Sequence, residues 1–96
     1  MPYIKQNQRE EIDPILAELT KFLFNSSLNP GTLNYVISTI INSALGKELS
    51  YTKINSIIGM LECAKLELYR RVAVPYEGEK IKENGDVYNS LKPRFE

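Results

Sequence analysis

YTKINSIIGMLECAKLELYRRVAV, residues 51–74, decides the fold. Ile54, Ile57, Ile58, Leu61, Ala64, Leu68 and Val72 recur every three or four residues, which places them on one side of a helix and leaves the polar residues on the other. Ser50 stands where a hydroxyl can cap the first free N–H groups, and Pro75 stands where a ring without an N–H breaks or kinks the chain. A helix over about 51–74 follows.

The same pattern extends toward the amino terminus. Asn29-Pro30-Gly31 combines a capping side chain with a proline tolerated in the first turn, and Leu33, Val36, Ile37, Ile40, Ile41, Ala44 and Leu45 keep the helical period. Gly46 then suits a left-handed cap, so a second helix spans about 30–46. Asp13-Pro14 repeats the start signal ahead of Ile15, Leu16, Leu19, Phe22 and Leu23, giving a helix over about 14–24 that stops in Asn25-Ser26-Ser27. Residues 1–12 are polar apart from Tyr3 and Ile4 and read as an arm docking through that pair. Three apolar stripes on short loops predict an all-α fold, a compact three-helix bundle. Beyond it, Asn84-Gly85 is a hairpin signal flanked by Ile81 and Val87 or Tyr88, whereas Pro75 can start a short helix ending at Gly85. Glu83 and Asp86 would face each other with like charge across a hairpin, which favours the helix. Residues 1–88 thus read as one helical domain and 89–96 as a loose tail.

Composition narrows the function. The chain of 96 residues is 43% apolar and 25% charged, ordinary for a globular protein and short for burying a core unaided, so a homo-oligomer is expected. Twelve basic and twelve acidic side chains cancel, which leaves no general field toward nucleic acid or an anionic membrane. Histidine is absent and Cys63 is the single cysteine, which removes Ser-His and Cys-His nucleophile pairs, histidine metal sites and an intramolecular disulfide. No glycine-rich phosphate loop occurs. A non-enzymatic protein without cofactor or metal, residing in the cytoplasm, is the expectation.

Two groups of residues remain as candidates for binding. Lys65 falls near the centre of the apolar face of the third helix, with Glu62 three residues before it and Tyr69 four after it. One reading is a lysine whose stem covers apolar surface while its head pairs with Glu62; the other is a polar pocket in a helix or subunit interface, where lysine holds an anion and tyrosine stacks. Arg70, Arg71, Tyr76 and Lys80 follow, cations interleaved with an aromatic, as a nucleotide site needs. Glu67, Glu77, Glu79 and Glu83 lie among them, so exposed ion pairs on a solvated helix explain the same run. Asn34 and Tyr35 open the second helix, where free N–H groups favour negative charge. Cys63 lies opposite the apolar face and reads as incidental.

MPYIK at the start, GTLNYVIST at 31–39 and LECAKLELYRRVAVPYEGEKIKENGDVY at 61–88 resemble an uncharacterised family of short proteins encoded by phages, prophages and some bacteria. The resemblance runs nearly to Tyr88 and implies no established activity. In setting and composition it is similar to small phage proteins that counter host defence, some of which sequester nucleotide signals as oligomers. That analogy of setting and composition supports a binding role; the residues themselves supply the site, so the expectation is a homo-oligomer that takes a small anionic, nucleotide-derived ligand through Glu62, Lys65, Tyr69, Arg70, Arg71, Tyr76 and Lys80, with Asn34 and Tyr35 as a further anchor. The alternative is an inhibitor or adaptor that docks a host protein.

Overall fold

A computed structural model describes residues 3–25 and 28–88, and among them every regular element is helical. A short 3₁₀ turn, Gln6–Gln8, precedes α1 (Asp13–Leu23), α2 (Pro30–Leu45) and α3 (Tyr51–Leu68). A π-helical turn, Tyr69–Ala73, leads directly into α4 (Val74–Asn84). The chain divides into two units, Met1–Met60 and Leu61–Glu96, within the stretch that the sequence presents as one domain. The tail assigned to 89–96 lies outside the described residues.

In the first unit the local chemistry sets the ends of the helices. Asn29 Oδ1 accepts from the N–H groups of Gly31 (2.9 Å) and Thr32 (3.2 Å), the expected cap of α2. Ser50 Oγ likewise accepts from Lys53 N at 3.2 Å at the start of α3. Asp13 departs from its expected role: it lies inside the first turn of α1, Ile12 precedes the helix, and no side-chain cap bond forms. An acidic group there still meets the positive end of the helix dipole. Gly46 ends α2 with φ 69° and ψ −159°. Its φ is positive as the left-handed cap requires, but its ψ is extended, a combination almost confined to glycine. Lys53 ties down the α2–α3 turn, its Nζ donating to the carbonyls of Leu45 (3.1 Å) and Glu48 (2.8 Å). The Leu45 carbonyl, in the last turn of α2, has no partner within the helix. In the amino-terminal arm the Arg9 guanidinium donates twice to the Ile4 carbonyl, at 3.0 and 3.2 Å.

Leu19, Leu23, Leu33, Val36, Ile41, Leu45, Ile54 and Ile57 are the half-buried apolar residues of this unit, and each belongs to a stripe that periodicity had marked. None of the described residues is fully buried. Phe22, Ile40 and Ile58, on the same stripes, are exposed.

The helical backbone of the second unit continues past Pro75 to Asn84. Pro75 was expected to break or kink the helix. Proline cannot donate to the carbonyl four residues back, and its ring crowds that carbonyl. The preceding turn widens instead: the Val74 N–H donates to the Tyr69 carbonyl, five residues back, while Leu68 and Val74 keep helical torsions. Gly85, at φ 87°, then stops α4, its N–H donating to the Ile81 carbonyl at 2.8 Å. Of the two readings of this segment, the helix is the one that forms.

Candidate functional site

The second unit carries seven of the nine residues singled out above, along one helical run. Lys65 and Tyr69, at the end of α3 and the start of the π turn, and Tyr76 and Lys80, in α4, are each spaced by four residues, so each pair shares a side of its own stretch. Lys65 Nζ lies 3.6 Å from Glu62 Oε1 with 73% of its side chain exposed. Tyr69 and Tyr76 are also exposed. Lys80 Nζ stands 5.5 Å from the centre of the Tyr76 ring and 3.1 Å from Glu83 Oε2. The ammonium therefore rests between a π face and a carboxylate.

Arg70 and Arg71 do not join either pair. Both turn to Glu67, Arg70 Nη2 donating to Oε1 at 2.9 Å and Arg71 Nη1 lying 3.5 Å from Oε2. Glu67 is the least exposed partner in the ion pairs of the described residues, with 20% of its side chain accessible. Its Oε2 is shielded from solvent and makes no hydrogen bond, so Arg71 meets it through charge alone. The organising role of Glu67 escaped the sequence reading, which counted it among the solvated carboxylates. Its spacing of three and four from two arginines was the available signal.

The π turn separates the two groups of candidates. It inserts wider backbone between Lys65–Tyr69 and Tyr76–Lys80, so their alignment depends on that turn and on Pro75. Two open hollows lie along this run. One, of about 410 Å³, is lined by Cys63, Leu66, Glu67, Tyr69 and Arg70. The other, of about 320 Å³, lies at the end of α4 between Lys80, Ile81 and the Gly85–Tyr88 turn, in which Tyr88 N donates to Asp86 Oδ1 at 3.1 Å.

Asn34 and Tyr35 belong to the first unit. The Asn29 carboxamide already takes the Gly31 and Thr32 N–H groups there, so the donors expected to attract an anion are engaged. Asn34 Oδ1 accepts from Ser38 Oγ at 3.2 Å, and the Tyr35 carbonyl accepts from Thr39 Oγ1 at 2.8 Å. The Tyr35 ring remains exposed.

Among the described residues no group of three or more Asp, Glu or Cys side chains is placed to hold a metal ion, and no helix is long and apolar enough to cross a membrane. Fold and site together describe a small all-helical protein whose charged and aromatic side chains line exposed helix faces. The chain belongs to the family described as domain of unknown function DUF6899, whose model matches residues 1–87. No curated protein and no solved structure matches it.

Proposed function

We propose that this protein is a non-enzymatic binder of a small anionic, nucleotide-derived ligand, acting as a homo-oligomer that sequesters the ligand. The observation that carries the reading is two exposed lysine–tyrosine pairs on either side of Val72, Lys65 with Tyr69 and Lys80 with Tyr76, with an ammonium already over the Tyr76 ring. Two ammonium groups supply charge for phosphate, and two phenol rings supply faces on which a base can stack. Glu62 can accept from a ribose hydroxyl or a base donor. Arg70 and Arg71 keep guanidinium donors beyond those that meet Glu67 and extend the positive edge.

In this reading the helices complete a compact bundle only when chains associate, and association dries the lysines enough for a charged ligand to matter. A cytoplasmic protein of this kind would blunt a host defence signal if it is phage-encoded. Calorimetry of the full chain against cyclic dinucleotides, cyclic ADP-ribose variants and common nucleotides tests it. Saturable heat from one class is the expected result; silence from every ligand removes the proposal.

The exposed Leu66, Leu68 and Val72 favour one further reading, an inhibitor or adaptor that docks a host protein through this helix. It requires a stoichiometric complex with a defined host protein and no response to any small molecule.

A further inference from the structure

We infer that the hollow beside Tyr69 holds the base of the ligand, that Glu67 reads that base, and that the ligand is a guanine nucleotide. The inference rests on the nucleotide-derived ligand proposed above and names its base. The wall of the hollow consists of Cys63, Leu66, Glu67, Tyr69 and Arg70, all in the second unit and all on the continuous stretch from α3 into the π turn. One length of helical backbone therefore sets their mutual placement. At about 410 Å³ the hollow falls within the size range of small-ligand sites.

Glu67 is the group left incomplete. Its Oε2 is shielded from solvent and accepts no hydrogen bond, although an ionised carboxylate oxygen can accept two. An acceptor that has lost water and gained no donor is destabilising, and a donor from a ligand would relieve it. Arg71 compensates only in part, its Nη1 standing 3.5 Å away while 63% of its side chain lies in solvent. A charge contact of this kind on an exposed cation contributes little, so Arg71 can swing aside and leave Oε2 to the ligand. Arg70 holds the carboxylate in place meanwhile, its Nη2 donating to Oε1 at 2.9 Å.

The chemistry of the wall selects the occupant. Tyr69 and Leu66 are each more than half exposed and offer a ring face and an apolar surface to a flat ring. Ionised Glu67 only accepts, so the ring must turn donors toward it. Guanine carries two adjacent donors on one edge, the ring N–H and the exocyclic amine, which the two oxygens of a carboxylate can accept side by side. Adenine and cytosine set a bare ring nitrogen next to their amine, and its lone pair would face a carboxylate oxygen. Hypoxanthine keeps the ring N–H and lacks the amine. Arg70 only donates, and the N–H groups it does not spend on Glu67 are open to a phosphate, since 73% of its side chain lies in solvent. Acceptor, ring face and cation thus follow one another between Glu67 and Arg70.

Calorimetry and thiol labelling of the full wild-type chain test this. In each series that binds, nucleoside monophosphates or cyclic dinucleotides, the guanine member should bind at least about tenfold tighter than its hypoxanthine and adenine counterparts, the effect of losing a hydrogen bond to a charged group. Saturation with that guanine ligand should also slow iodoacetamide alkylation of Cys63, which is exposed, stands in the wall and is the single cysteine of the chain. Glu67→Gln, checked for helicity by circular dichroism, should remove most of the preference for guanine over hypoxanthine. Should that variant fail to fold, the wild-type comparisons still decide. Equal or tighter binding of an adenine ligand overturns the guanine assignment and keeps the nucleotide function. An alkylation rate unmoved by bound ligand overturns the hollow, and a preference that survives Glu67→Gln overturns the role of Glu67. Silence from every nucleotide overturns this inference and the proposed function together.

Discussion

Lys65 separates an ordinary surface pair from a binding group. Its ammonium meets Glu62 at 3.6 Å in the open, where such a pair contributes under about 1 kcal/mol. Lys65→Met keeps the stem and should leave thermal stability within that margin. If the lysine contacts phosphate in a drier site, the same change should cost about 2 to 5 kcal/mol of affinity, roughly thirtyfold or more in Kd by calorimetry. Unchanged affinity would place the anion elsewhere. The glycines give a second pair of tests at this scale. Gly46 holds torsions that side-chain-bearing residues rarely adopt, so Gly46→Ala should destabilise by about 1 to 3 kcal/mol in urea unfolding. Gly59 lies inside α3 with open space where a Cβ would stand, so Gly59→Ala should stabilise by about 0.5 to 1 kcal/mol. Opposite signs from two changes of the same size would show that torsion decides the outcome.

At the scale of the element, the π turn is the feature to perturb. Pro75 withholds the N–H that would close an ordinary turn onto the Arg71 carbonyl, and the wider turn accommodates the ring. Pro75→Ala restores the donor. The turn should then relax to α-helix, and helicity and thermal midpoint should rise. Tyr76 and Lys80 would rotate about the axis relative to Lys65 and Tyr69, so ligand affinity should change although none of the four has been changed. A rise in stability with affinity intact would show that the π turn accommodates proline and has no part in binding.

For the whole molecule, the proposed association makes a prediction about how stability depends on concentration. If association covers the exposed apolar stripe, the unfolding midpoint should climb as protein concentration rises, because binding to the folded form alone draws the equilibrium toward it. Two substitutions locate the dependence. Ile57 is half-buried within the first unit, so Ile57→Asp should lower the midpoint at every concentration, by several kcal/mol in a domain with little to spare. Leu61 is 38% exposed, and an aspartate there costs little in an isolated chain. Leu61→Asp should therefore abolish the concentration dependence rather than shift the whole curve. Circular dichroism melts over a hundredfold range of concentration distinguish the two.

Local chemistry made the helices legible without coordinates. Asn29, Ser50, Gly46 and the three- and four-residue spacing of Leu19, Leu23, Leu33, Val36, Ile54 and Ile57 act within one or two turns, so their effects can be read along the chain. The sequence likewise placed Glu62 beside Lys65 and Tyr76 near Lys80, since such pairs need only helical spacing. It could not say that helix would continue through Pro75, because the outcome depends on whether the whole backbone can widen a turn instead of ending it. Nor could it say how Tyr76 and Lys80 are turned relative to Lys65 and Tyr69, since rotation about the helix axis beyond a π turn is set by accumulated backbone geometry. Tertiary structure alone decided how much of each apolar stripe stays uncovered: periodicity shows which residues share a side, and the area hidden depends on what packs against it.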